Sequence, residues 1–179
     1  KTKTLMVPSE GIDRLALNYE GIVPEINQRD NYWGVTTFLD KPFQLRLITD
    51  IEDPRYTQLF LIPHYRYNLY DGIAIGPRLH NKSLPRKNFH FDVAPLYGFK
   101  SQTVLGSANF QHIIPFDDQE MYSLTYGISG SRFSFGYGDY YERISPFIQL
   151  NFRPKDLRDT QRQTLRIRNV NVMREEVRS

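Results

Sequence analysis

The chain has no cysteine in 179 residues, which excludes a disulfide framework and a thiolate metal site. No apolar run approaches the roughly 20 residues that a membrane-spanning helix needs. No secretory leader opens the chain. Lys1 stands where an initiator methionine would, and the tail VMREEVRS does not read as a finished terminus; both fit a piece of a longer protein. The net charge of +3 is too mild to imply a nucleic-acid partner. His-Glu-x-x-His, a nucleophile elbow and a phosphate loop are all missing. The expectation is a segment without catalytic residues, metal or cofactor. The mean hydropathy of −0.53 does not exclude a membrane, because a spanning strand needs apolar residues at only half its positions.

What the chain does have is aromatics, twelve Tyr and twelve Phe against one Trp, and alternation. From Gln58 to Asn81 every second residue is apolar or aromatic: Leu59, Leu61, Pro63, Tyr65, Tyr67 and Leu69, then Ile73, Ile75, Pro77 and Leu79. The other set turns polar, with His64, Arg66 and Asn68, then Ala74, Gly76, Arg78 and His80. Period two on both sides of an Asp-Gly pair predicts a β-hairpin. A two-residue Asp71-Gly72 loop would set the faces against each other. A three-residue loop of Tyr70, Asp71 and Gly72 keeps them matched. It pairs Leu69 with Ile73, His64 with Arg78 and Asn68 with Ala74, around a type I turn closed by a left-handed glycine.

The same period recurs along the chain. Residues 1–42 carry little regular pattern beyond a short strand at Arg14–Tyr19, and are expected to be a linker or periplasmic lead-in. Residues 43–179 are expected to form a β-barrel segment. Strands are predicted at Phe43–Thr49, on both arms of the hairpin, and at Phe89–Phe99. A tight Ser101-Gln102 turn then starts a strand from Thr103. Further strands are predicted at Met121–Phe135, Arg143–Phe152 and Thr164–Val172. No helical period lies between them. The fold class is therefore all-β, an antiparallel up-and-down meander of about eight strands.

A soluble sandwich also alternates. Three features favour an outer-membrane-type barrel, or part of one. The strands run about 9–15 residues, against a mean of about 5–6 in globular proteins and the 9–11 of a tilted membrane strand. The less apolar face holds Ser, Thr, Gly, Ala, Asn, Gln, His and Arg, with little Lys or Glu at mid-strand. Aromatics gather near strand ends, as interface girdles do. The lipid-facing set is then Tyr65, Tyr67, Ile73, Ile75, Val93, Tyr97, Leu124, Tyr126 and Ile148. The lumen-lining set is His64, Arg66, Arg78, His80, His90, Asp92, Arg166 and Arg168. The partner is the lipid bilayer of the outer membrane. Other chains, or the rest of a parent chain, would complete the wall, since backbone in lipid has to pair. Pro63, Pro77, Pro95 and Pro146 fall mid-strand, where each removes a ladder donor, and bulges are the expected remedy.

Several inner-face groups have chemistry of their own. His64, His80, His90 and Asp92 have the residue types of a metal or proton-transfer site. Arg66 and Arg78 beside them disfavour a cation, so ion pairs lining a lumen are the better reading. Arg166 and Arg168 read as lumen or rim charges rather than an anion site. Asp117, Asp118 and Glu120 read as a solvated acidic turn rather than a calcium site. Two rival functions remain: a ligand-binding or transport barrel working through the His/Arg/Asp face, and a soluble lipocalin-like barrel with an apolar ligand.

Four runs carry a resemblance: LNYEGIVPEINQRDNYWG; DKPFQLRLITDIEDPRYTQLFLIPHYRYNLYDGIAIGPRLHNKSL; APLYGFKSQTVLGSANF; and RISPFIQLNFRPKDLRDTQRQTLRIRNVNV. Their most specific pieces are Tyr67-Asn68-x-Tyr70-Asp71-Gly72 and Pro95-x-Tyr97-Gly98-x-Lys100-Ser101. They resemble the C-terminal part of large Bacteroidetes proteins that begin with a gluzincin, aminopeptidase-N-like zinc peptidase module and continue into an outer-membrane β-barrel. The resemblance implies a membrane anchor for a peptidase-like protein. The zinc ligands and catalytic glutamate of that family have no matching positions here.

Overall fold

A computed structural model describes residues 4, 6, 10–35, 41–48, 51–83, 87–117, 120–154, 156 and 158–175. Most of them lie in one twisted sheet. Its strands are β3 (Phe43–Leu47), β4 (Thr57–Asn68), β5 (Gly72–His80), β6 (Phe89–Gly98), β7 (Thr103–Pro115), β8 (Met121–Ser134), β9 (Tyr140–Phe152), β10 (Thr164–Arg168) and β11 (Asn171–Glu175). From β4 to β9 each strand pairs antiparallel with the next. These six strands run 9–14 residues, the lengths expected from the alternation. Thr49 of the strand predicted at Phe43–Thr49 lies outside the described residues.

Several details depart from expectation. Strand β3 pairs with β4 in parallel, Leu45 beside Leu59, so the meander is antiparallel except at this edge. The hairpin loop is three residues long but sits one residue earlier, at Leu69–Asp71. Asn68 opposes Gly72, Tyr67 opposes Ile73 and His64 opposes Gly76. The Asn68 side chain accounts for the shift. Its Oδ1 accepts the Tyr70 N–H at 2.8 Å, starting the turn at Asn68, while Gly72 closes it at φ +67°. The displacement leaves the faces unchanged. Likewise Gly98 opposes Thr103, so the β6–β7 turn has four residues instead of two. The lead-in holds a small second sheet, β1 (Arg14–Ala16) with β2 (Tyr32–Gly34), the latter inside a stretch that reads as loop. Strand β9 begins three residues earlier than its alternation indicates.

The prolines are not accommodated by bulges. No register shift falls at any of them; the one shift in the β8–β9 ladder lies at Met121/Ser123. Orientation is the remedy instead. In an antiparallel sheet, alternate residues direct N–H and C=O to opposite neighbours. The bond from Phe99 N–H to Ile73 O fixes the odd residues of β5 toward β6. Pro77 and Pro95 therefore face each other across that ladder. It is interrupted there, between Ile75↔Tyr97 and Leu79↔Val93, and continuous on the far side of both strands. Two missing donors share one gap. Gly76 fits beside it because a Cβ there would lie 1.9 Å from Pro95 O. Pro63 directs its missing donor to the β3 side, beyond the last β3–β4 pair, Leu47↔Leu61.

Pro146 breaks the other edge. Strands β10 and β11 continue a single register along β9, Arg168 opposite Phe147 and Asn171 opposite Ile144. Asn169 thus falls opposite Pro146 and donates to its carbonyl at 3.1 Å. No N–H returns to Asn169 O. The Ser145 hydroxyl supplies it, at 3.0 Å, from a fully buried position. The predicted single strand over Thr164–Val172 is consequently cut in two.

The β7–β8 ladder ends at Gly106↔Arg132, while β8–β9 pairing runs on to Ser134↔Tyr140. That free hairpin end reaches back across the sheet. Ser134 Oγ donates to Asp71, and Ser134 O accepts from Asn68 Nδ2 at 2.9 Å. Tyr140 packs on Ala74, Leu96 and Leu105, the small inner core. Among the described residues, β3 and the β10–β11 edge have no outer neighbour, so the sheet is open.

Replacing Ser145 with alanine is expected to leave the Asn169 carbonyl without its protein donor and to destabilise the fold by about 0.5–1.5 kcal/mol. Denaturant titration in the folding medium checks this, with Ser129→Ala, whose hydroxyl makes only a 3.4 Å contact, expected to cost less.

Candidate functional site

The concave face is built from one parity of each strand, and its best-ordered chemistry lies where β5 meets β6. Asp92 is the centre. Arg78 approaches it two-pronged, Nε to Oδ1 at 2.8 Å and Nη2 to Oδ2 at 2.6 Å. Lys82 Nζ adds a third contact at 2.7 Å. The side chain of Asp92 is only 12 % exposed, and a two-pronged guanidinium contact is the strongest form such a pair takes. His80 opposes Asp92 in the ladder. Its ring lies 5.5 Å from that of Phe60, a fully buried residue, and its Nδ1 accepts the Lys82 N–H at 3.2 Å.

Of the predicted inner residues, Arg78, His80 and Asp92 thus come together. His90 sits one inner step along β6, opposite Gln111. His64 and Arg66 lie toward the hairpin tip, where the Arg66 guanidinium stands 5.8 Å from the Phe133 ring. Arg166 and Arg168 belong to the far edge: Arg166 sits 4.5 Å over Phe147, and Arg168 Nε donates to Ser145 Oγ at 2.7 Å. The histidines therefore do not converge. Among the described residues no three His, Cys, Asp or Glu side chains gather as a metal requires. Asp118 lies outside the described residues, and Asp117 is exposed in the turn after β7. The outward set lies on the opposite face, with Tyr65 at 79 % and Ile75 at 49 % exposure; Val93 and Leu124 are half-buried there.

Lys82 escaped the sequence reading, although it continues the inner parity of Arg78 and His80 one step past the strand. Glu52 and Arg29 escaped it because they meet across 23 positions, from segments on either side of β2 and β3. Arg29 grips Glu52 Oε2 through Nε at 2.8 Å and through Nη2. Ser83 Oγ donates to the same oxygen at 2.9 Å, and Lys87 Nζ meets Oε1 at 2.6 Å. This knot ties the lead-in and the β5–β6 loop to the start of β4. Burial pushes the Glu52 carboxyl up. The hydrogen bonds from Lys87, Arg29 and Ser83 outweigh it and hold the group below the ordinary glutamate range.

No protein-family model, no curated protein and no solved structure matches this chain.

Two outcomes follow. Because the folded pKa of Glu52 is depressed, its stabilisation is complete above the unfolded value of about 4.3 and is lost as pH falls through the folded one. Proteolytic release of the lead-in is expected to rise on acidification below about pH 4, and Glu52→Gln is expected to release it at neutral pH as well. Asp92→Asn leaves Arg78 and Lys82 facing each other without a carboxylate. It is expected to cost about 1.5–3 kcal/mol in a denaturant titration.

Proposed function

We propose that the chain is a wall segment of an outer-membrane-type β-barrel and serves as the membrane anchor of a peptidase-like protein, with no catalysis of its own. One observation carries the reading: the sheet is turned inside out relative to a soluble one. Its concave face holds Asp92, Arg78, His80, Gln111, Asn109, Thr125, Gln149 and Asn151. Its outward face carries large apolar side chains on every long strand, among them Tyr67, Ile73, Tyr97, Phe110, Tyr126 and Ile148, each 40–72 % exposed. A soluble monomer rarely leaves so continuous an apolar surface in water.

The outward face is also graded. At the turn end lie Tyr65, Tyr67, Tyr97 and Phe99, the last two edge to face at 5.6 Å. At the other end Phe91 stacks on Phe110 at 6.5 Å, and His112 bonds the Tyr126 hydroxyl at 2.9 Å. Between them sit Pro77, Leu79, Val93, Pro95 and Ala108. Two aromatic belts flanking an aliphatic middle suit a bilayer with its two interfaces. The peptidase association rests on the resemblance of the four sequence runs.

Val93→Arg is expected to cost about 2–4 kcal/mol near a bilayer midplane and to block folding into detergent micelles or vesicles, read as loss of heat-resistant migration and of protease protection; Ile75→Arg, level with Tyr65 and Tyr97, is expected to cost less, about 0–1 kcal/mol. Folding of the unmodified chain as a monomer in buffer without detergent would overturn the proposal.

A further inference from the structure

We infer that the concave side of the β7–β10 wall binds a small soluble polyhydroxyl compound carrying a phosphate or carboxylate. A cavity of about 980 Å³ opens there, bounded between β9 and β10 by Arg153, Pro154, Arg162 and Gln163. Among the described residues its lining includes Lys87, Arg153, Arg162 and Arg166, and no aspartate or glutamate. Lys87 is matched by Glu52. The three guanidinium groups enter none of the ion pairs among the described residues.

Those guanidiniums are positioned by neutral contacts. Arg153 Nη2 donates to Phe116 O at 2.7 Å, Arg162 Nη1 donates to Asp159 O at 2.8 Å, and Arg166 lies over Phe147. Each contact fixes a side chain without cancelling its charge. A guanidinium has five N–H donors in a planar fork that suits an oxyanion. Three of them around a concavity with no carboxylate among its described lining residues form a local excess of positive charge with a place for a negative group.

The floor supplies the second half of the argument. Gln149 Nε2 donates to Asn151 Oδ1 at 2.9 Å, Asn151 Nδ2 to Ser123 Oγ at 3.0 Å, and Thr164 Oγ1 to Asn151 Oδ1 at 3.1 Å. Amides and hydroxyls from β8, β9 and β10 are thereby tied into one preset network. Such groups both donate and accept, as ligand hydroxyls do. Pre-organised polar side chains lose less freedom on binding. An oxyanion at the arginines with hydroxyls over the amide floor uses both features; a bare anion or a neutral polyol uses one.

This inference does not rest on the membrane reading, because the cavity is on the face away from the apolar surface. The test is calorimetric titration of the full chain, in micelles or, should it fold there, in plain buffer. The probes are glucose 6-phosphate, glucose and inorganic phosphate. Saturable binding of glucose 6-phosphate is expected, with the other two at least roughly tenfold weaker, about one charge-assisted hydrogen bond. The double variant Arg162→Gln/Arg166→Gln is expected to lose roughly tenfold or more. The double lysine variant, which keeps the charge without the fork, is expected to bind more tightly than the double glutamine variant and less tightly than the unmodified chain, and Arg55→Gln, exposed and outside the cavity, is without effect. No saturable binding by the unmodified chain, or equal binding by the double glutamine variant while its fold is intact, would overturn the site. Inorganic phosphate binding as tightly as the sugar phosphate would overturn the polyhydroxyl assignment.

Discussion

Backbone pairing is the constraint on which this sheet depends. A wall of strands 9–14 residues long has many N–H and C=O groups to satisfy, and four prolines remove donors from the middle of it. The solution uses the alternation of bond direction. Pro77 and Pro95 direct their deficits into one shared gap, Pro63 directs its own past the end of β3, and Ser145 repairs the deficit at Pro146 with a hydroxyl. A bulge would have moved every later side chain to the wrong face. Matched placement keeps the register, and the register keeps the two faces distinct.

The side-chain chemistry of the long strands follows from that separation of faces. The polar parity meets itself across the concave side, so Asp92 pairs with both Arg78 and Lys82 at the β5–β6 end. At the β9–β10 end no carboxylate is on the inner parity, and the arginines there are held by carbonyls and a ring instead. The concave face is therefore electrostatically uneven along the sheet, a closed ion-pair cluster at one end and an open basic cavity at the other.

Period-two alternation made the strands, their faces and their lengths legible, because a buried or lipid-covered face demands apolar residues at every second position. Turn positions were less legible by one residue. An Asn68 side chain that captures the Tyr70 N–H competes with the Asp-Gly pair for the start of the turn, and both solutions preserve parity. The Arg78–Asp92 pair was readable as two inner residues on adjacent strands. The Glu52 knot and the β3 direction were not, since both depend on irregular chain closing over long separations. Bulges were the wrong inference at the prolines because sequence gives each proline's position but not which neighbour its missing donor faces.

The two edges extend the same pairing argument. Strand β3 covers β4 only from Thr57 to Leu61. Beyond it, Tyr65 and Tyr67 belong to the parity whose backbone groups face away from β5, and no described strand receives them. Water would satisfy such groups in solution. Hydrocarbon would not, at several kcal/mol for each unsatisfied group. The outward side chains on this stretch are Tyr65 and Tyr67, aromatic rather than aliphatic, so in the proposed membrane wall the unpaired stretch would lie where the bilayer gives way to headgroups. Its opposite number, the β10–β11 edge, is fully exposed and is interrupted at Asn169 for the benefit of Pro146. A wall of this kind in a bilayer therefore demands neighbouring strands most strongly at its centre. The same backbone rule that orders the interior of the sheet makes its two margins the surfaces through which the rest of a barrel would join it.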